Sequence, residues 1–326
     1  MMNAQLWTRI AVLAAALAVA TPAIQAQTYP NKPIRVVLPY PPGGGLDTIA
    51  RPLAHDLTQR LGQQVVVDNR GGASGNIGME LAAKAPPDGY TVVMALTAQL
   101  AVNPSLFRKL PYDPVKDFAP ITLMANGPYL LVVHPSLPVK SVKEFIALAR
   151  KHPGQIVYAS SGNGSGGHLA AVLLESMAHI KMLHVPYKGG GQALVDLLAG
   201  NVQMLFAPYA SSKGHIQSGR IRALAVTTAK RPAAIPDLPT LAEAGVPGYD
   251  SDVWYAMLAP AGTPRAIVER LNRETLAVLK QPDYAKFLFS SAIDPVGSTP
   301  EELATHIKSE IAKYAKVIKE AGVHVD

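Results

Sequence analysis

The chain has 326 residues, 48% hydrophobic and 16% charged, which is ample for a globular core and more than one average domain holds, so two domains are expected. It contains no cysteine, which excludes disulfides, thiolate chemistry and cysteine zinc sites. The formal charge of +7 comes from scattered Lys and Arg that never gather into the long runs of a nucleic-acid patch, so it describes a solvated basic surface.

Residues 1–26 read as a secretory signal peptide: Arg9 precedes an unbroken apolar run at 10–20, followed by Pro22 and the small-residue exit Ala23-Ile24-Gln25-Ala26. That run is too short to span a bilayer, which takes about 20 residues, and no later run approaches it. Cleavage after Ala26 and export as a soluble protein are expected.

A strand at 34–38 then leads into Pro39-Tyr40-Pro41-Pro42-Gly43-Gly44-Gly45-Leu46-Asp47. The prolines stiffen the exit from the strand, and the glycines let main chain approach a ligand at a helix start, a geometry suited to a small anion. Leu46, Ile49, Leu53, Leu57 and Leu61 mark one helix face, which Pro52 either kinks or delays to a start near Arg51. A strand at 65–67 runs into a second Gly-rich turn, 69–75, and a helix at 77–84. Pro86-Pro87-Asp88-Gly89 is a turn before a third strand at 90–96. The connection at 103–114 is too proline-rich for regular structure, and two strands are expected at 121–124 and 129–133.

The same grammar then restarts. Ser141 caps a helix at 142–151, and a strand at 156–159 meets the turn Ser160-Ser161-Gly162-Asn163-Gly164-Ser165-Gly166-Gly167-His168, which opens a helix at 169–178. A strand at 182–185, the turn 187–191, a helix at 192–199 and a strand at 203–206 complete the second β-α-β-α-β block. Strands follow at 222–227 and 254–259, then a helix from Thr263-Pro264, and a last helix with the capping box Thr299-Pro300-Glu301-Glu302 that stops at Gly322. Alternating strands and helices argue for an α/β chain of two mostly parallel sheets flanked by helices, with ligand beyond the C-terminal strand ends, where both Gly-rich turns lie. The chain is expected to return to the first domain near Trp254, leaving two crossing segments as a hinge.

Gly162, Gly164 and Gly167 satisfy G-x-G-x-x-G, but the strand at 182–187 lacks the acidic residue a dinucleotide needs, and His168 stands where a phosphate loop has Lys. No G-x-S-x-G elbow surrounds Ser165 or Ser74, and no histidine pair has metal-ligand spacing. His168 reads as a hydrogen-bond donor rather than a base, and Asp47 as a helix cap, an orienter of the glycine loop or an acceptor for an amino group. No catalytic residue, metal or cofactor is expected. A polar, weakly charged cleft of Gly amides, Ser and Thr hydroxyls and Tyr phenols remains, which describes a receptor site.

The chain resembles the Bug family, extracytoplasmic solute-binding receptors of tripartite tricarboxylate transporters. The resemblance is carried by Tyr29-Pro30-Asn31-Lys32-Pro33-Ile34, Pro41-Pro42-Gly43-Gly44, Asn69-Arg70, Pro87-Asp88-Gly89-Tyr90, Asn103-Pro104-Ser105-Leu106, Asp117-Phe118-Ala119-Pro120, Ser160-Ser161-Gly162, His184-Val185-Pro186-Tyr187-Lys188-Gly189 and Ala259-Pro260-Ala261-Gly262-Thr263-Pro264. It implies a two-domain periplasmic-binding-protein fold, type II-like, with a ligand cleft between domains divided as 27–128 with 253–326, and 129–252.

The resemblance also implies a carboxylate held by loop amides, hydroxyls and water. Carried over by position, the contacts fall on Gly43, Gly44, Gly45, Asp47, Ser74 and Thr97 in the first domain, and on Ser160, Ser161, Ser165, His168, Lys188 and Gly189 in the second, with Ala207 and Asp252 at the far end. A periplasmic monomer that takes up a dicarboxylate, an acidic amino acid or an aromatic acid and delivers it to membrane transporter subunits is expected. A ligand sensor feeding a signalling receptor and an exported hydrolase using Ser165 are the alternatives.

Overall fold

The computed structural model describes residues 29–321. The expected signal peptide and the stop at Gly322 lie outside the described residues. Among the described residues no helix is long and apolar enough to cross a membrane.

The first block folds as its spacing predicts. Strand β1 (Ile34–Leu38) is buried except around Arg35, and parallel strands flank it on both sides: β2 (Val65–Asn69), with Ile34 opposite Val65, and β3 (Thr91–Leu96), with Arg35 opposite Thr91. Helix α1 (Gly45–Leu61) buries Leu46, Ile49, Leu53, Leu57 and Leu61 along one face. It begins at the glycines and runs through Pro52, and Gly62 in the left-handed region ends it. Helix α2 (Asn76–Ala83) follows the second Gly-rich turn.

Only the first four residues of the stretch expected to be irregular, 103–114, are helical: a π-helical turn before it (Ala98–Val102) continues into the short α3 (Asn103–Leu106), and 107–114 form no helix. Pro104 sits in the first turn of α3, where its missing N–H has no helical partner to lose, so it does not break the helix.

The two strands expected at 121–124 and 129–133 are one, β4 (Phe118–Val133). Gly127 and Pro128, in the gap between the two expected strands, mark a change of partners. Up to Pro128, β4 pairs antiparallel with β9 (Asp252–Pro260), which in turn lies antiparallel to β3. From Tyr129 onward β4 pairs with β7 (Met204–Pro208) and β8 (Arg222–Val226). β7 then lies parallel to β5 (Val157–Ser160), and β5 parallel to β6 (Leu183–Pro186). The path β2-β1-β3-β9-β4-β7-β5-β6 thus runs through two sheet halves joined by β4, each half parallel at its outer strands and antiparallel toward the join. We refer to these halves with their helices as the first and second lobes. The short β10 (Asp294–Pro295) pairs with β4 at Asn126 and Ala125.

In the second lobe, α4 (Val142–Lys151) is capped by Ser141, whose Oγ accepts from the Glu144 N–H at 3.2 Å. Helices α5 (Gly166–Ala178), α6 (Gly190–Leu198) and α7 (Tyr209–Gln217) follow. Helix α7 has no apolar stripe, and only Ser212 of it is fully buried, so periodicity does not reveal it. The chain closes with α8 (Arg265–Leu279), α9 (Pro282–Ser290) and α10 (Pro300–Ala321). The expected capping box is formed: Glu302 N donates to Thr299 Oγ1 at 3.2 Å and Thr299 N to Glu302 Oε2 at 2.8 Å.

Two apolar clusters stabilise these halves. One joins Val37, Val93, Leu100, Leu106 and Trp254 to Leu303 and Ile307 of α10. The other joins Leu130, Val132, Ala159 and Leu205 to Leu194 and Leu197 of α6. Both Gly-rich turns therefore stand at strand ends that the cores make rigid.

Candidate functional site

The first turn is braced from behind by Asp47, which is only 7% exposed. Its carboxylate accepts from Gly43 N at 3.1 Å, Arg51 Nε at 3.0 Å, Arg51 Nη2 at 2.8 Å and Asn69 Nδ2 at 3.0 Å. Burial pushes this carboxyl up, but the bonds from Arg51, Gly43 and Asn69 outweigh it and hold the group below its ordinary range. Asp47 therefore stays ionised with its charge answered inside its own lobe, and its structural work is to orient the glycine loop.

The turn at 160–168, the second of the two that face each other across the cleft, is built around two stacked imidazoles. Ser160 is fully buried; its Oγ accepts from Gly162 N at 3.1 Å, donates to Gly162 O at 3.0 Å and lies 2.7 Å from His184 Nε2. His168 Nδ1 accepts from Gly164 N at 2.9 Å, which places the proton of a neutral ring on Nε2. The rings of His168 and His184 stack at 4.1 Å, and Tyr158 stacks on His184 at 4.8 Å. Burial, with the neighbouring His184 adding to it, lowers His168 to about 3, and burial lowers His184 to about 4. Both are neutral at pH 7 and shape the loop.

Ser165 Oγ caps α5 by accepting from His168 N at 3.4 Å, so this hydroxyl faces a helix end. Ser165→Ala is expected to cost about 1 kcal/mol of stability, as loss of a cap does. Ester turnover is expected to be nil in both proteins, and ester hydrolysis lost with the variant would reinstate the hydrolase.

The two lobes touch at positions where only a hydrogen fits. A Cβ at Gly45 would lie 2.8 Å from Pro208 Cγ, and one at Gly189 would lie 2.4 Å from Pro41 Cγ. Gly164, at φ +77, faces Leu106 of the first lobe, where a Cβ would come within 2.0 Å of a methyl carbon. Beside these contacts the Ser74 hydroxyl donates to the carbonyl of Asn163 across the cleft. Ala73 and Ser74 hold left-handed backbone, φ 47 and 57, a conformation that costs non-glycine residues about 1–3 kcal/mol each and is held here by the surrounding structure. The Ser74 carbonyl takes a 2.7 Å bond from Gln99 Nε2, which fixes the turn from below.

Between the lobes lies a cavity of about 50 Å³, room for a few waters. Its polar end comprises Tyr40, Gly44, Gly45, Ser161 and Gly190. Leu46, Leu96 and Tyr255 of the first lobe and Leu194, Leu205, Phe206 and Ala207 of the second form the remaining walls, with Tyr129, Pro208 and Ser211. The N-terminal ends of α1, α6 and α7 all reach this lining, and among the described residues no Lys, Arg, His, Asp or Glu does. An anion here meets helix dipoles and free N–H groups instead of a side-chain cation. Burial raises the phenols, Tyr40 to about 12 against the bonds it makes with Gln99 and Ser161, and Tyr129 and Tyr255 further. All three remain protonated and can donate hydrogen bonds.

Of the positions singled out from the sequence, Gly44, Gly45, Ser161 and Ala207 line this cavity. Gly43 and Asp47 stand behind the first turn, and Ser74 forms the contact across the cleft. Thr97 Oγ1 accepts from Trp254 N at 2.9 Å and ties β9 to the end of β3. Ser160, Ser165 and His168 are the interior of the second turn. Gly189 precedes α6 and packs on Pro41, while Lys188 is exposed at the rim.

Asp252 is apart from the rest: it lines a separate cavity of about 310 Å³ with Gly127, Pro128 and Thr228, where β4 changes sheets. Burial raises its carboxyl, Lys313 opposing and Glu310 and Asp250 adding. Sequence reasoning passed over Tyr129, Leu194, Leu205 and Tyr255, which look like ordinary strand or helix apolar residues. Tyr40 and Gly190 lay within turns it had marked. Among the described residues no group of three or more His, Asp or Glu is placed to hold a metal ion.

Known proteins share this architecture. The chain is 41% identical over 309 residues, 94% of its length and 92% of the relative's, to a UPF0065 protein from the tcbD-tcbE intergenic region of a Pseudomonas species. It is 37% identical to protein BugT of Bordetella pertussis, over 96% of each chain. Among solved structures, an R. palustris protein determined with adipate superposes with a TM-score of 0.88 at 41% identity, covering 91% of this chain and 99% of that one. MatC of Rhodopseudomonas palustris with bound malate gives 0.85 at 30% identity, covering 89% and 100%. The periplasmic binding protein BugD gives 0.88 at 33%, covering 91% and 99%. The fold of these solved structures is the one described above. The profile of the tripartite tricarboxylate transporter family receptor, TctC, matches residues 49–323, and the chain belongs to that family.

Proposed function

We propose that this protein is a periplasmic receptor that closes its two lobes on a small organic carboxylate and delivers it to the membrane subunits of a tripartite transporter. The observation that carries the proposal is the cavity at which three helix N-termini meet and which, among the described residues, is lined by no charged side chain. The adipate and malate held by the neighbours are carboxylates of this kind. In this reading the ligand carboxylate sits at Gly44, Gly45, Ser161 and Gly190, and Asp47, Ser74, Ser160, Ser165 and His168 hold the two turns that receive it. Thr97, Lys188, Gly189 and Asp252 act from the surround. This reading keeps the domain division expected from the sequence, 27–128 with 253–326 and 129–252; what supports it is the switch of β4 partners between Pro128 and Tyr129. Removal of residues 1–26 releases the working protein as a monomer.

Trp254 gives a direct test. It is 1% exposed, its indole N–H donates to Glu310 Oε2 at 3.3 Å, and its neighbour Tyr255 lines the cavity. In the processed chain it is the sole tryptophan, since Trp7 leaves with the leader. Titration with a broad panel of carboxylates is expected to shift its fluorescence and raise the melting temperature with at least one acid at micromolar concentration or below, about −8 kcal/mol. No response from any acid would refute the receptor reading.

A further inference from the structure

We propose that the acid seated in this cleft has a hydrocarbon body, with neither an ammonium nor a hydroxyl group beside its carboxylate. The inference rests on the receptor reading and narrows it. Once the carboxylate occupies the amide-rich end at Gly44, Gly45 and Gly190, the rest of the ligand faces Leu96, Tyr255, Leu194, Leu205, Phe206 and Ala207.

Among the described residues no carboxylate side chain lines those walls to answer an ammonium. The two acids nearest in the sequence reading are both elsewhere. Asp47 is saturated by Arg51, Asn69 and the Gly43 amide, and Asp252 opens into the separate cavity behind the crossing of β4 and β9. An α-ammonium would be stripped of water with no counter-charge, a heavy penalty for a buried charge. A hydroxyl fares better but still poorly. The Tyr40 phenol is engaged by Gln99 Nε2 at 2.7 Å and by Ser161, and the Ser211 hydroxyl donates to Pro208 O at 3.1 Å. The phenols of Tyr129 and Tyr255 can donate to an added oxygen, so its cost is the apolar contact it displaces rather than an unmade bond. Pockets of this kind discriminate against an added hydroxyl by up to about a hundredfold.

Calorimetric titration of the processed protein with matched series tests the inference: 3-phenylpropionate, 3-phenyllactate and phenylalanine; glutarate, 2-hydroxyglutarate and glutamate. In a series that binds, the unsubstituted acid is expected to bind about tenfold or more tighter than its 2-hydroxy form and about a hundredfold or more tighter than its 2-amino form. A substituted acid that binds as tightly as its parent overturns the inference and leaves the receptor reading standing. Silence from every acid, in these series and in the broader panel, overturns both. Leu194→Asn, which puts a polar group on the apolar wall, is expected to narrow the hydroxy-acid gap severalfold with the melting temperature as control. A gap unchanged in a folded variant removes the wall as its cause.

Discussion

Gly44→Asp is expected to weaken carboxylate binding about a hundredfold while leaving the unliganded protein at least as stable. Gly44 is the residue before α1, with φ −86 and ψ 172, an extended geometry that any residue adopts, and a Cβ there meets nothing within 4 Å. The substitution therefore adds charge without a clash. Two like charges about 5 Å apart in an environment of effective dielectric about 20 repel by about 3 kcal/mol, roughly two hundredfold in affinity. Aspartate at a helix N-cap is at the same time favourable, because its oxygen can accept from the first-turn N–H groups and its charge opposes the dipole. Binding and stability should thus move in opposite directions, which a merely disruptive substitution does not do. Gly44→Asn, of the same shape but uncharged, is expected to stay within a few-fold of the parent. Retained affinity in Gly44→Asp would move the anion away from this turn.

Stability should also fall by roughly 3 kcal/mol between pH 7 and pH 4 through two imidazoles, His184 being discounted for its partial exposure. An unfolded histidine titrates near 6.5. Burial holds His168 down at about 3 and His184 at about 4. Across the window from about 6.5 to about 4 the unfolded chain binds more protons than the folded one, so stability rises with pH there. It is complete above 6.5 and falls as pH drops through the window. A protonated His168 would in addition lose the acceptor at Nδ1 that holds the Gly164 amide, so the second turn should loosen with the global loss. Denaturant unfolding at pH 7, 5.5 and 4.5 measures the slope, and the His168→Asn, His184→Asn double variant is expected to flatten it. A stability independent of pH over that range would mean that the rings are not buried as described.

Much of the fold was legible because its signals are local. The leucine spacing of α1, the Ser141 cap, the Thr299–Glu302 box and the strand-turn-helix grammar of both blocks depend on residues within a turn or two of each other. Pro104 lies in a first helical turn, where proline is tolerated, and Pro128 lies where β4 changes partners, a context set by strands far away in sequence. Helix α7, with no apolar stripe, carries no local signal at all.

The sequence by itself determined that two glycine-rich turns stand at helix starts after strands, without an acid-base pair, a thiol or a metal motif, and the proposed capture of an anion rests on that arrangement. Only the tertiary structure decided which members of those turns reach the cavity. Asp47 and His168 share their turns with Gly44 and Ser161, but the Asp47 carboxylate is taken up by Arg51, Asn69 and the Gly43 amide and His168 Nδ1 by the Gly164 amide, all within their own lobes. Asp252, placed by position at the far end of the pocket, is carried by β9 into a different cavity. The apolar walls come from β3, β7, β9, α1 and α6, elements far apart in the chain, and their identity as a ligand surface exists only once the lobes meet. Composition and spacing report on what a residue does to its neighbours in sequence. Which side chains keep an unanswered hydrogen bond or an open apolar face for a ligand depends on the partners that folding brings to them.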